Sequence, residues 1–313
     1  MTNVIPMSLR GVPTVMLSCV LYAAQMTMVR WTTGMVAPAQ LVFIRFVCNL
    51  VCVGIWCVAT RRWPRFSSPG MWALRGLLGG LGVYLSFVAI ANLELGPASL
   101  LIYTFPIFAT VIAAYVLKEH VERRKILGLV LSFLGASLVI QTAIPAGGTH
   151  FGLNIGVLAG IVSAVLMGAS QTTMRILRRE ADAATVFSSF CLFGMLAVMP
   201  MAVFEWRPIS GALMVPVLGI GVMSFAAQML STYALGYAST AAVSGTSLLT
   251  PALAWVMGTL FLHERVSTLG IVGTVVCVAG VLLGTVLPAS LSMRGAAKVL
   301  ASEGASAGRS FRS

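Results

Sequence analysis

PASLLIYTFPIFATVIAAYVLKEHVERRKILGLVLSFLGASLVI, residues 97–140, and AVSGTSLLTPALAWVMGTLFLHERVSTLGIVGTVVCVAGVLL, residues 242–283, follow one plan. Each runs through small residues, a proline, an apolar block, a glutamate and two glycines seven positions apart. With the numbering shifted by 145, Ser99 falls on Ser244, Pro106 on Pro251, Glu119 on Glu264, Gly128 on Gly273 and Gly135 on Gly280. The register holds outside these stretches, carrying Gly11 onto Gly156, Ser18 onto Ser163, Thr27 onto Thr172, Arg30 onto Arg175 and Ser86 onto Ser231. Apolar coincidences are cheap in so apolar a chain, but Pro, Glu and Arg are scarce here. Their agreement at a single offset implies one unit present twice.

Composition names the solvent. Of the residues 58% are hydrophobic and 9% charged, whereas soluble domains carry about a quarter charged residues. Lipid must cover most of this surface. The formal charge of +12 does not point to nucleic acid, because the basic residues sit singly or in short clusters between apolar runs, with no soluble domain to present a binding face. The six cysteines, Cys19, Cys48, Cys52, Cys57, Cys191 and Cys277, all fall inside apolar runs without a CxxC pair, and read as small apolar fillers. Cys48 and Cys52 share a helix face, but no ligand partners accompany them. His120, His150 and His263 are isolated in connections, with no paired carboxylate or HxxxH nearby. Neither a catalytic set, a metal site nor a cofactor is expected, and the chain does not read as an enzyme.

Runs of about 20 apolar residues suffice to cross a bilayer as helix. Ten are predicted, at 12–29, 39–60, 71–91, 97–117, 126–144, 154–173, 185–204, 212–235, 240–262 and 268–288. Lys and Arg near span ends favour the cytoplasmic side. Arg10, Arg61, Arg62, Arg65, the Lys118 to Lys125 cluster, Arg175, Arg178, Arg179 and the basic residues of the tail all fall on one side, which places both termini in the cytoplasm. Each repeat has five spans, an odd number, so the second enters the membrane upside down. The expected fold is therefore all-α and integral to the membrane, with ten transmembrane helices as two inverted five-helix repeats, 1–147 and 148–288, and a basic, flexible cytoplasmic tail at 289–313. Trp31, Trp63, Trp72 and Trp206 lie near span ends and read as interfacial anchors.

These stretches resemble the repeat of the drug/metabolite transporter superfamily, in its EamA-type ten-helix branch. LVFIRF around Arg45, RGLLGGLG opening span three, and the Glu119 and Glu264 connections LKEHV and LHERV carry the resemblance further, over almost all of Gly11 to Leu287. It implies a cavity near mid-membrane, lined by spans from both halves and opening alternately to each side, with spans five and ten at the periphery. The family handles amino acids, nucleotide-linked sugars, vitamins, drugs and other metabolites, so the resemblance does not name a substrate.

Polar side chains at helical spacing show where to look. Ser18, Tyr22 and Gln25 share a face of span one; Ser163, Met167 and Ser170 share the equivalent face of span six, beside Gln171; Ser224, Gln228 and Ser231 repeat the pattern in span eight. Span four offers Ser99, Tyr103 and Pro106, and span nine Ser244, Ser247, Thr250 and Pro251. A polar stripe facing lipid is costly, so these faces meet protein or a wet cavity. Lone Ser and Thr hydroxyls can bond to their own backbone; the larger groups are harder to satisfy within one helix. The candidate substrate-binding residues are Tyr22, Gln25, Arg45, Tyr103, Ser170, Gln171, Gln228 and Ser247. Arg45, about 9 Å of helix rise into span two, needs a partner, water or a route back to the interface: snorkelling outward or bonding to carbonyls of a neighbouring span makes it scaffold, and substrate contact is the other reading. Arg75 reads as a surface anchor, Pro106 and Pro251 as hinges or packing kinks, and Glu119 and Glu264 as pairing or capping groups with a gate as the alternative. Gly76 with Gly80, Gly128 with Gly135 and Gly273 with Gly280 allow close helix approach.

No acidic residue lies deep within a predicted span. Proton-coupled carriers usually place a carboxylate on the pathway. The expectation is a facilitator or exchanger moving a zwitterionic or anionic metabolite, or a drug, across the bacterial inner membrane by alternating access. A proton-coupled efflux pump working through Glu94 or a histidine is the alternative, and a membrane enzyme or non-transporting subunit the remote one. The partners implied are a small-molecule substrate and the lipid bilayer, with a homodimer also compatible.

Overall fold

A computed structural model describes residues 7–61, 63–64, 66, 69–116, 123–143, 154–178, 181–234, 246–264 and 267–285. Glu119, Ser244, His120, His150 and the tail at 289–313 lie outside them. The helices are α1 (Met7–Trp31), α2 (Pro38–Thr60), α3 (Pro69–Asn92), α4 (Leu95–Ile102), α5 (Phe105–Val116), α6 (Arg123–Ala143), α7 (Ile155–Leu177), α8 (Ala183–Phe204), α9 (Gly211–Ala234), α10 (Leu249–Leu262) and α11 (Thr268–Thr285). Taking α4 and α5 as two halves of one crossing, these give ten, and the protein is an all-α, multi-pass membrane protein. Six stretches among the described residues are individually long and apolar enough to cross a bilayer, Leu95–Val116 among them.

Local chemistry sets several helix starts. Pro38 opens α2, where its missing N–H costs nothing. Asn154 and Asp182 cap α7 and α8 by accepting from the backbone N–H of Gly156 and Thr185, each at 2.9 Å. The predicted single span at 97–117 is interrupted. Pro106 has no N–H to continue the helix and its ring crowds the carbonyl of Ile102, so α4 ends at Ile102. Tyr103 and Thr104 form the break, with Thr104 Oγ1 donating to Leu101 O at 2.6 Å.

Helix α2 shows how the chain sorts its faces. Arg45, Asn49, Val53 and Cys57, four apart, are buried, while Val51, Ile55 and Val58 are exposed on the opposite side. The polar residues face protein and the apolar ones face lipid, because a charge turned to hydrocarbon would cost at least about 3 kcal/mol.

Contacts between helices come in pairs related by exchanging the halves. Helix α3 packs on α7 as α9 packs on α1, α2 on α9 as α8 on α3, and α5 on α7 as α10 on α1. Single bonds obey the same rule: Ser18 Oγ donates to Ala227 O at 2.9 Å, and Ser163 Oγ to Gly82 O at 2.7 Å, each residue 145 positions from its counterpart. Helices α6 and α11 pair with each other around Ser132 and Cys277, themselves repeat counterparts, with Ser132 Oγ donating to Cys277 O at 3.2 Å. The glycine pairs permit this approach. A Cβ on Gly135 would sit 2.3 Å from Cys277 N, and one on Gly80 2.5 Å from the Gly194 Cα.

Two expectations are corrected. Trp72 is fully buried against Leu177 and Val186 and is no interfacial anchor, unlike the exposed Trp31, Trp63 and Trp206. Arg75 is only 8% exposed and is not at the surface. Both lie in the first turns of α3, which packs between α7 and α8, so nearness to a helix end did not mean exposure to lipid or water.

Candidate substrate site

Helices α1, α2 and α9 bring the first cluster together. The polar stripes of α1 and α9 meet along their crossing, where Tyr22 donates through its hydroxyl to Gln228 Oε1 at 2.6 Å and Ser18 Oγ lies 2.6 Å from Ser231 Oγ. The Ser18–Ser231 pair thus packs the two helices together. On α2, Arg45 Nε donates to Ser224 Oγ at 2.7 Å, and Asn49 Nδ2 donates to the same oxygen at 3.2 Å. Ser224 belongs to the second half, so the bond ties the repeats together. The guanidinium carbon lies 5.7 Å from the Phe87 ring centre and 6.0 Å from that of Phe46, within the range in which a cation is drawn to a ring face.

Among the described residues the two Nη groups of Arg45 have no hydrogen-bond partner. That leaves the planar fork, the part of arginine shaped for two-point binding of a carboxylate or phosphate, open among the described residues. Tyr22 and Tyr103 both lie within electrostatic reach of this group. Tyr103 is placed there by the α4–α5 break, and discontinuous helices commonly frame substrate sites in transporters. Ser247 is half-buried and helical, just before the turn at Leu248 that precedes α10, and the neighbouring Thr246 carbonyl accepts the Cys19 thiol at 3.5 Å.

A second cluster forms where α3 meets α7 and α8. Arg75 Nη1 donates to Ser170 Oγ, which donates in turn to Arg75 O at 2.9 Å, and Nη2 faces Met174 Sδ at 3.8 Å. The guanidinium lies 4.7 Å from the Phe190 ring centre. Among the described residues, buried polar atoms without partners include Gln25 Oε1, Gln171 Oε1 and Arg75 Nε.

The family model for EamA-like transporters matches twice, at residues 9–141 and 154–286, and the second match starts 145 residues after the first. The chain belongs to the EamA-like transporter family, within the drug/metabolite transporter superfamily. This EamA-family chain is 25% identical over 279 residues to the pseudopaline exporter CntI of Pseudomonas aeruginosa, covering 86% of the chain and 93% of that protein. It is 26% identical over 254 residues to the uncharacterized transporter YdfC of Bacillus subtilis, covering 78% and 80%. With human solute carrier family 35 member G1 it shares 24% over 227 residues, covering 68% and 61%. A solved structure matches over 91% of the chain and 99% of its own length with a TM-score of 0.64 at 19% identity, a likeness of fold.

The eight candidates of this EamA-family transporter do not all converge. Tyr22, Arg45, Tyr103 and Gln228 gather in the first cluster, and Ser170 joins Arg75 in the second. Gln25 and Gln171 contribute open carbonyl oxygens. Sequence reasoning missed Asn49, although its place one turn after Arg45 was a readable signal, and misjudged Arg75.

Proposed function

We propose that this protein is a secondary transporter moving a small zwitterionic or anionic organic metabolite by alternating access between two inverted repeats, residues 1–147 and 148–288. The observation that carries the reading is the buried Arg45, held by Ser224 of the other half with its fork open. A guanidinium cannot shed its charge as a lysine can, and an unpaired one inside a membrane protein is costly. An anionic group on the substrate offsets that cost while bound. The unpartnered oxygen of Gln25, on the same face of α1 as Tyr22, suits an ammonium donor on the same molecule.

Facilitated movement or exchange, driven by the substrate's own gradient, is the coupling we propose. The four acidic residues described, Glu94, Asp182, Glu205 and Glu264, all flank helices. The basic clusters support cytoplasmic termini, and the short connections together with the family resemblance support a bacterial inner membrane. The name of the Pseudomonas aeruginosa relative supports export as the direction. Purified protein in liposomes tests the reading: a gradient of an amino-acid-like anion should drive its own flux and counterflow, and a protonophore should leave both intact. Accumulation abolished by the protonophore, with no flux down substrate gradients, would replace it by the proton-coupled pump. A preference for organic cations would overturn the substrate class.

A further inference from the structure

Arg45 has a companion that the anionic-substrate reading does not use. Arg45 lies seven residues into α2 and Arg75 six residues into α3, each 8% exposed and each packed on aromatic rings. The rings are joined: Phe46, beside Arg45, meets Phe190, beneath Arg75, edge to face at 5.3 Å and 81°. The Cys191 thiol, next along α8, lies within electrostatic reach of both guanidinium groups. The two cations are thus linked through one pair of rings.

Neither has a carboxylate among the described residues, whose single ion pair is Arg30 with Glu264. Their protein partners are neutral: Ser224 for Arg45, and Ser170 with Met174 for Arg75. Arg75 Nε is buried and bonds to nothing, and the Arg45 fork is open. Removing two like charges from water without a counter-charge costs several kcal/mol each, and their mutual repulsion adds to it. Ring faces recover only part of that cost. What completes this arrangement is negative charge at both guanidinium groups.

We propose that Arg45 and Arg75 bind one substrate at two points, and that the substrate carries two anionic oxygen groups, carboxylate or phosphate. The inference rests on the transporter reading above and narrows its substrate class.

The full-length protein, reconstituted in liposomes loaded with a deproteinised extract of the host cells supplemented with glutamine, glutamate and succinate, tests it. Mass spectrometry follows what leaves vesicles holding the wild type, Arg45→Gln, Arg75→Gln or Arg75→Lys, against protein-free vesicles, and separates carboxylates from phosphates. Compounds released by the wild type are expected to bear at least two acid groups. Arg75→Gln is expected to cut their flux at least tenfold while sparing or favouring singly charged compounds, with Arg75→Lys between. If the wild type moves compounds with one acid group, Arg45→Gln abolishes that flux and Arg75→Gln leaves it unchanged, the two-point site is wrong and the anion reading stands. Release of organic cations, or of nothing, defeats both. Should Arg75→Gln fail to fold, the acid count of the wild-type cargo still decides.

Discussion

Arg30 Nε lies 3.1 Å from Glu264 Oε1 and joins the end of α1 to the turn after α10, the only ion pair among the described residues. The other carboxylate oxygen, Oε2, accepts the Leu95 N–H at the start of α4 at 2.7 Å, while Arg30 Nη1 donates to Ala91 O at 3.0 Å. His263, left-handed at φ 54°, turns the chain so that Glu264 reaches inward. Three segments from both halves are therefore held by one carboxylate. Glu264→Gln should cost about 1–3 kcal/mol, between the values for exposed and buried pairs, seen as a lower melting temperature in detergent. Exchanging the charges with Arg30→Glu and Glu264→Arg should recover only part, since arginine at 264 has no acceptor for Leu95 N–H. Full recovery would show that the helix-start bond contributes nothing.

Tyr22 and Gln228 meet at 2.6 Å across the halves. Tyr22→Phe keeps the ring and removes the donor, leaving Gln228 Oε1 without that bond. Substrate affinity should fall for Tyr22→Phe and for Gln228→Leu, and the double variant should lose less than the sum, with a coupling of about 0.5–3 kcal/mol. Strict additivity in a binding titration would show that this contact does not act as a unit.

The repeat was legible because the residues that carry it are constrained at the backbone. Ser18 and Ser163 reach the backbone carbonyls of Ala227 and Gly82 in the same way, so loss of either hydroxyl would break a helix contact. The site was less legible because a stripe along one helix does not say which helix lies opposite. Ser18 and Ser231, both read as polar-face residues, turn out to face each other. Arg75 was misjudged because depth was measured along its own helix, while burial comes from α7 and α8 packed beside it. Nor could spacing reveal that Phe190, which occupies the place of Arg45 in the second repeat, carries Arg75 on its ring face.

Ser224 is the single oxygen to which both Arg45 and Asn49 donate. Ser224→Ala should cost about 1–3 kcal/mol, the usual loss when a charged group's buried partner is removed, and should raise the KM for substrate by freeing the guanidinium to reorient. Asn49→Ala leaves the Arg45 bond in place and should have the smaller effect on KM. An Asn49→Ala defect as large as that of Ser224→Ala, measured by liposome uptake, would mean that Asn49 itself touches the substrate.

Gly135 and Gly54 differ in what a methyl group would meet. On Gly135 the added carbon falls 2.3 Å from Cys277 N and 2.6 Å from Gly273 O, both backbone atoms of α11 that cannot swing aside. Gly135→Ala must therefore push α6 and α11 apart, at a cost of about 1–3 kcal/mol. On Gly54, inside α2, nothing lies within 4 Å, so Gly54→Ala meets open space and gains up to about 1 kcal/mol of helix propensity. Thermal melts of the two variants should move in opposite directions from the wild type. Because α6 and α11 pack chiefly on each other rather than on the arginine clusters, the Gly135→Ala protein that remains folded should keep its substrate affinity. A change in affinity would instead make the paired helices part of the moving machinery.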